Sequence, residues 1–292
     1  MEVIKQCVNL GKTVYDGQVR ASCDGSIIVP DIKPDIIKVL QVDADTFLCD
    51  KVVENGKVTL SGKVNVTVLY IPEDENPSVC AIKGSFEFCE VIKKSEFLQD
   101  MQIIAMCDAE KVSYKLINSR KIGIEAAICL NIQVIKDCSF EIVSDISGDD
   151  AQCRYENINM TSFGVYKEHE FCMEEAFSLS GTKSQIKEIL KGNVIILEKE
   201  YKALADRVIV KGNGVVSVLY LADDGEIGHF QKEMPFTEVV DMLGVYEDAE
   251  CDVGFEIGEL KLDFDREKES ITIRIPTELL NAIDQKAGEN DI

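Results

Sequence analysis

Apolar and polar residues alternate with a period of two along much of the chain. The clearest example is residues 57–70, where apolar side chains recur at every second position and polar side chains fill most of the positions between. Such alternation is typical of an antiparallel strand with one face in a core and the other toward solvent. Similar patterns predict strands at residues 86–91, 101–109 and 122–135. The sequence therefore predicts a mainly β protein with few helices.

Asx-Gly pairs predict turns between the strands, because both residues of such a pair tolerate positive φ. These pairs are Asn55-Gly56, Asp16-Gly17, Asp24-Gly25 and Asp224-Gly225. Gly62 and Gly212 instead lie inside strand patterns, where a missing Cβ permits a bulge or a sharp bend. We expect the sheets to curl at these two glycines.

One pattern occurs twice, about 150 residues apart. Six of the thirteen residues from Val58 to Tyr70 are identical to their counterparts from Val208 to Tyr220. The same gapless register pairs Ile36 with Ile186, Leu40 with Leu190 and Phe86 with Phe236. After one missing residue, residues 122–124 match residues 271–273. A match of fixed period over this length indicates a duplicated domain.

One stretch departs from the alternation and predicts a short helix. Pro34 suits the first turn of a helix, and Asp35 favours its positive N-terminal end. Ile36, Val39 and Leu40 then recur at helical spacing. In the second copy residues 184–190 keep this pattern, and it has lost both prolines. There we expect Ser184 to cap the helix and Gly192 to end it.

These observations predict two tandem homologous domains. Each is expected to be an antiparallel β-sandwich or open barrel with one short helix. We expect the first β domain at residues 1–147, a linker at 148–153, a second and more diverged domain at 154–281, and a polar tail at 282–292. A short polar stretch between the copies supports this division.

Charge and composition exclude several classes of protein. The formal net charge is -22, and no cluster of Lys and Arg creates a local exception, so nucleic-acid binding is disfavoured. No apolar run approaches the roughly 18 residues that a membrane span needs, and the first residues lack a secretory pattern. We therefore expect a cytoplasmic protein. The 11 cysteines contain no C-x-x-C, and we expect most of them to be reduced core residues.

No motif in the sequence predicts catalysis, a cofactor or a metal. The two histidines, His169 and His229, have no local signature of nucleophilic chemistry around them. Asp43-Ala44-Asp45 lacks the Gly and Glu of a calcium loop, and Gly212-Asn213-Gly214 lies inside a strand instead of before a helix. We therefore predict a non-enzymatic protein. Repeated β modules of this kind bind or assemble, and unpaired sheet edges offer one route to self-association.

A proline- and aspartate-rich turn, a predicted short helix and a V-x-G-x strand ending in Leu-Tyr form a recognisable pattern. The residues that carry it are Pro30, Asp31, Pro34, Asp35, Ile36, Leu40, Gly62 and Tyr70, and in the second copy Ile186, Leu190, Gly212 and Tyr220. In this pattern the chain resembles the SPOCS domain of SipL-type morphogenesis proteins from endospore-forming bacteria. The first copy matches throughout, and the second matches mainly over residues 186–220.

The resemblance implies a structural protein of the spore coat that works in the mother cell at the forespore surface. Its expected partners are spore coat morphogenetic proteins, including a coat-basement ATPase. The larger relatives contact that ATPase through a C-terminal LysM module, and no LysM-like pattern follows Leu280 here. Two other functions stay open, a module that binds cell-wall glycan or another small ligand, and an enzyme with acids converging on His169 or His229.

Overall fold

The structure is a computed structural model that describes residues 2–74, 78–147, 161–178, 185–245, 247, 249–265 and 270–286. These residues form strands, turns and short connections, and none of them is helical. No described element is a helix that could cross a lipid bilayer. The prediction of a mainly β protein is confirmed.

Thirteen strands are described, and they fall into two modules. The first module contains β1 (Glu2–Ile28), β2 (Ile36–Glu54), β3 (Lys57–Pro72), β4 (Cys80–Lys93), β5 (Gln102–Asn118) and β6 (Lys121–Ser147). The second module contains β7 (Thr161–Ser178), β8 (Ile186–Leu204), β9 (Arg207–Ala222), β10 (Ile227–Asp241), β11 (Glu250–Ile257), β12 (Lys261–Asp265) and β13 (Ser270–Lys286).

Each module is a sandwich of two antiparallel sheets. In the first module the strand orders are β1-β6-β5 and β2-β3-β4. In the second module β8-β9-β10 forms one sheet, and β13 forms the centre of the other, with β7 on one side and β11 and β12 on the opposite side. The described strands do not close into a barrel. The period-two strands supply the core, because every second residue of β3, of β9 and of residues 122–134 in β6 points between the sheets.

The two modules carry β-bulges at matching places. In β2 the register shifts between Ile36 and Lys38 and again between Val39 and Gln41. In β8 it shifts between Ile186 and Glu188 and between Ile189 and Lys191, which are the same positions 150 residues later. A bulge inserts one residue and bends the strand at a defined point. Its recurrence shows that the two modules share one fold in detail.

The predicted short helix is wrong in both modules. Residues 31–33 form a turn, and β2 begins at Ile36, so Pro34 and Asp35 precede a strand. The two bulges explain the misleading spacing, because each adds a residue and places core-facing side chains three apart, at Ile36, Val39 and Val42. In the second module Gly192 lies inside β8, and Ser184 lies outside the described residues.

The turn predictions are right at two places and wrong at two. Gly56 and Gly225 have φ values of 80° and 86° and lie in the hairpin turns β2–β3 and β9–β10. The pairs at residues 16–17 and 24–25 lie inside β1, which is paired with β6 along nearly its whole length. Pairing along that length outweighs the local preference of Asx-Gly for a turn.

Gly62 and Gly212 are both buried inside strands, and the bend they accompany lies in the neighbouring strand. The register of β2 shifts between Leu48 and Asp50, opposite Gly62, and that of β8 shifts opposite Gly212. Each glycine also has an aromatic ring above it, from Phe88 and Phe236 respectively. The sequence match of Phe86 with Phe236 is therefore wrong, because the β9–β10 connection is two residues shorter than the β3–β4 connection.

The second module diverges from the first where its outer strand is interrupted. The strand that corresponds to β5 is divided into β11 and β12 by residues 258–260. Opposite this break lies Pro276, inside the central strand β13. Proline has no N–H to donate to a neighbouring strand, so the ladder cannot continue past it. Only the carbonyl of Pro276 bonds across, accepting from the N–H of Gly258 at 2.7 Å.

The ends of the predicted domains are described in part. The predicted linker, residues 148–153, lies outside the described residues. Strand β13 continues to Lys286, so residues 282–286 of the predicted polar tail are part of a strand and pair with β7. Residues 287–292 lie outside the described part of the chain.

Candidate functional site: the contact between the two modules

The second module packs against the outer face of the sheet β2-β3-β4. Four apolar side chains form a small buried cluster there, Leu69 and Ala81 from the first module and Leu190 and Leu221 from the second. Leu69 follows the core-facing Val68 in β3 and therefore points outward, away from the core of its own module. The cluster buries apolar surface that each isolated module would expose, which favours docking of the modules.

Salt bridges surround this apolar cluster. Lys191 of β8 lies 2.8 Å from Asp43 of β2, and Lys33 forms an ion pair with Glu188 of β8. Further along the face, the loop between β11 and β12 contributes Glu259, whose carboxylate accepts from Lys63 at 2.7 Å and from Asn65 at 2.9 Å. Glu259 reaches this position because Pro276 interrupts the strand beside it.

A cleft of about 990 Å³ lies beside these contacts. Apolar groups from both modules line it, among them Phe47, Met106, Phe171 and Phe255. Cys107 also lines the cleft, and burial raises the pKa of its thiol to about 11. This thiol stays protonated at neutral pH, which is the wrong state for a nucleophile.

Three carboxylates surround one lysine at the edge of the cleft. The side chain of Lys51, only 13% exposed, extends from β2 to Glu168 of β7 at 2.7 Å and to Glu278 of β13 at 3.6 Å. Glu256 of β11 pairs with Glu278 across the ladder and completes the group. We call Lys51, Glu168, Glu256 and Glu278 the Lys51 cluster. One positive charge therefore lies among three carboxyl groups, and it cannot balance the negative charge of all three.

The pKa values of the cluster reflect this shortage of positive charge. Burial raises the pKa of Glu256 to about 7, and the neighbouring Glu278 and Glu168 add repulsion, while Lys51 offsets part of the rise. Burial also raises the pKa of Glu278. Burial acts the same way on Glu168, but hydrogen bonds from Lys51 and Tyr166 outweigh it and hold that pKa below its usual value. Near neutral pH the group therefore exchanges a proton chiefly at Glu256.

The histidines do not join this group of acids. His169 lies on β7 with its Nε2 3.1 Å from Glu238, stacked against Phe171. His229 is exposed on β10. Neither imidazole lines the cleft. Within the described residues, no group of three or more His, Cys, Asp or Glu side chains is arranged to hold a metal ion.

The Pro-Asp turn of the predicted signature is held by Arg120, at the β5–β6 turn. Its guanidinium lies 2.5 Å from Asp35 and also donates to the carbonyls of Val29 and Pro30, both at 3.1 Å. Ser119 donates to the same Asp35 carboxylate at 2.7 Å, and these two hydrogen bonds lower the pKa of Asp35. Asp35 therefore has a structural role, because it joins the start of β2 to the β5–β6 turn.

The remaining signature residues fall into three environments. Pro30 and Asp31 are exposed in the turn, and Pro34 is half-buried. Buried residues of the module cores are Ile36, Gly62, Tyr70, Ile186, Gly212 and Tyr220. Leu40 and Leu190 differ although they match in sequence, since Leu190 is fully buried between the modules and Leu40 is 47% exposed. The tyrosine hydroxyl of Tyr70 donates to the carbonyl of Pro34 at 3.1 Å.

The expectation about cysteines is largely wrong. Of the ten described cysteines only Cys23 and Cys251 are buried, and four are exposed, namely Cys7, Cys49, Cys89 and Cys172. Alternating strands place every second residue outward, so an apolar residue type does not by itself indicate a core position.

Sequence reasoning missed the Lys51 cluster entirely. Its four residues come from four strands in two modules, and no local motif links them. The only signal in the sequence is weak, namely charged residues at positions where the alternation predicts an outward side chain. Which outward positions face the other module depends on how the modules dock.

Comparison with known proteins assigns the chain to a family. The profile described as SipL, SPOCS domain matches residues 35–117 and 185–265, together more than half of the chain. These two segments cover β2 to β5 in the first module and β8 to β12 in the second. No curated protein and no solved structure matches the chain. The chain therefore belongs to the SipL family of sporulation-related proteins and contains two tandem SPOCS domains.

Proposed function

We propose that this protein is a non-enzymatic scaffold of spore envelope assembly that acts through protein–protein contacts. Membership of the SipL family supports a role in sporulation. The observation that carries the scaffold role is a two-stranded ribbon at one end of the first module. Its edges are unpaired among the described strands, and it exposes apolar side chains.

The ribbon arises because β1 and β6 are longer than their neighbour. The pairing of β5 with β6 starts at Gln102 and Ile135, so residues 136–147 of β6 pair with β1 alone. Phe140 and Val143 of β6 and Val3 and Ile4 of β1 are exposed there. A two-stranded ribbon is only marginally stable in water, and an unpaired edge offers backbone donors and acceptors to another strand. We call residues 2–13 and 136–147 the ribbon.

In the proposed mechanism, a partner segment adds a strand along the free edge of β6 and covers the apolar side chains of the ribbon. Backbone hydrogen bonds provide affinity, and the alternate side chains provide selectivity. The proposed partners are spore coat morphogenetic proteins, with the coat-basement ATPase as one candidate. The proposed location is the mother-cell cytoplasm at the forespore surface.

The test is capture of named coat proteins from sporulating cells. The tagged full chain is compared with Phe140→Glu/Val143→Glu, and captured proteins are identified by mass spectrometry. We expect coat proteins with the native chain and at least a severalfold loss with the double variant. Tyr114→Glu, at an exposed aromatic on β5 outside the ribbon, is the matched control and should capture as the native chain does. Equal capture by all three chains would remove the ribbon from the mechanism.

The cleft between the modules favours a second candidate function, binding of a small ligand or a glycan fragment. Its volume lies in the range of ligand pockets, and aromatic and acidic groups line it together. Titration calorimetry with peptidoglycan fragments would distinguish this function. Saturable heat that is lost in Phe171→Ala and retained in Phe140→Glu/Val143→Glu would support it over the scaffold role.

A further inference from the structure

The outer face of the sheet β8-β9-β10 packs against the first module at the end that carries Leu190 and Leu221, and beyond that end it exposes apolar side chains. Read across the three strands, its two central rows are Ile195–Val215–Glu233 and Leu197–Asn213–Pro235. Ile195 is 46% exposed and Leu197 is 47% exposed. We call this surface the β9 face. Contiguous exposed apolar side chains on a sheet mark an interaction surface.

The equivalent face of the first module is more polar, and part of it contacts the second module. Its corresponding rows are Asp45–Asn65–Ser85 and Phe47–Lys63–Glu87. Lys63 and Asn65 on this face bind Glu259 of the second module. The two faces are copies of one surface, and in the first copy a module of the same family already packs against it. In the second copy Ile195, Val215 and Pro235 stand where the first has Asp45, Asn65 and Glu87, and Ile195 and Leu197 are exposed there.

The amide of Asn213 reflects this apolar environment. Its Oδ1 is buried and has no hydrogen-bond partner among the described residues, while its Nδ2 makes only a long contact of 3.4 Å to Glu233. Asn213 occupies the position of Lys63, which in the first module bonds across to the other module. A buried acceptor without a partner costs roughly 1–3 kcal/mol.

Charges around the β9 face are balanced although the chain as a whole is strongly acidic. The rows next to the apolar ones are Glu200–Lys211–Thr237 and Lys202–Ile209–Val239. Both signs therefore occur within this one surface. A surface with both signs can pair with a copy of itself, whereas most of a chain with a net charge of -22 would repel its copy.

We propose that the β9 face is a homodimer interface, on which a second copy of this chain packs its own β9 face about a two-fold axis. The apolar rows of one copy cover those of the other, as in the stacking of two sheets in a sandwich. Lys211 and Lys202 of each copy then face carboxylates of the other. The inference goes beyond the proposed scaffold function, because it uses neither the ribbon nor a coat protein.

The test measures the mass of the purified full chain by sedimentation equilibrium over a range of concentrations. We expect a reversible monomer–dimer equilibrium in the native chain. Leu197→Glu should weaken it by at least about tenfold, because two like charges would be buried against an apolar surface. Asn213→Leu should strengthen dimerisation, because it places an apolar side chain where the amide would lose water on dimer formation. A monomer at all concentrations, or a dimer that neither variant changes, would overturn the proposal.

The matched control is Val91→Glu, on the outer face of the first module at the position equivalent to Val239. Its dimerisation should equal that of the native chain. Equal weakening by Val91→Glu and Leu197→Glu would refute the assignment of the interface to the β9 face. Circular dichroism of each variant checks that the fold is intact. If Leu197→Glu fails to fold, Asn213→Leu still tests the proposal, because it is expected to lower the dissociation constant of the dimer instead of raising it.

Discussion

At the scale of single residues, two features dominate. One is a buried glycine under an aromatic ring, and the other is a carboxyl group that shares one lysine with two further carboxyl groups. Gly62 is tightly enclosed, since an added Cβ would overlap the carbonyl oxygen of Phe47 and the ring of Phe88. Glu256 is one of three acids around Lys51 and has a pKa of about 7. Both features lead to measurable consequences.

Gly62→Ala should destabilise the protein by about 1–3 kcal/mol, because the backbone oxygen of Phe47 cannot move aside without distorting β2. Urea unfolding measures the change. Gly123→Ala is the control, since at that glycine the nearest atom to an added Cβ lies 3.5 Å away and belongs to the flexible side chain of Ile117. Similar losses in both variants would contradict the enclosure of Gly62.

Docking of the modules should weaken as the pH rises from about 5 to about 8. The pKa of Glu256 is raised from 4.5 to about 7 in the docked state, so that state holds the proton more tightly than the separated modules do. The stabilisation is complete below the ordinary pKa and is lost as the pH rises through the raised one, with a change on the order of 1–2 kcal/mol. Glu168, whose pKa is lowered, acts in the opposite direction only at more acidic pH.

Hydrogen exchange of the Leu190 backbone amide, followed from pH 5 to pH 8 and corrected for intrinsic rates, measures this dependence. Glu256→Gln should flatten the profile because it removes the titrating group and keeps a similar shape. Glu125→Gln, at an exposed residue of β6, should leave the profile as in the native chain. A native profile without any slope in this range would contradict the assignment.

At the scale of elements, β-bulges and one arginine determine how the strands start and bend. The bulges in β2 explain the three-residue spacing of apolar residues from which a helix was predicted, although the segment is a strand. Pairing with β3 decides between the two, because a strand at this place satisfies its backbone groups in the ladder. Arg120 then fixes the approach to β2 through Asp35 and two carbonyls.

Arg120→Met should destabilise the protein by about 1–3 kcal/mol, because it removes the guanidinium that donates to the carbonyls of Val29 and Pro30 and pairs with Asp35. Thermal unfolding measures the loss. Arg20→Met provides the comparison, since Arg20 forms an exposed salt bridge with Glu110, and water screens such a pair so that it adds little to stability. Arg120→Met with a stability equal to that of Arg20→Met would show that the turn does not depend on Arg120.

At the scale of the whole molecule, the arrangement of the two modules depends on contacts between side chains of the first copy and side chains of the second. Pro276 interrupts its outer strand, and the loop thus formed carries Glu259 to Lys63. Lys51 connects β2 to both β7 and β13. The two modules therefore share one fold, and side chains in which the copies differ form the contact between them.

Lys51→Met should loosen the docking of the modules by about 1–3 kcal/mol, because three acids would then lie together without a cation. Small-angle scattering should show a larger radius of gyration, and Leu190 should exchange faster. Lys57→Met removes an exposed salt bridge to Glu54 within one hairpin and should change neither quantity. An unchanged radius in Lys51→Met would contradict a role of this lysine in docking.

The sequence by itself determined the mainly β class, the duplication and the family. All three follow from local alternation and from identities at a fixed spacing, which need no knowledge of distant contacts. Only the tertiary structure decided that β1 runs through two Asx-Gly pairs, that residues 36–42 form a bulged strand, and that Leu190 is buried while Leu40 is exposed. The physical reason is that pairing and docking join residues far apart in the chain. Their free energy outweighs the weak local preferences that a sequence pattern reports.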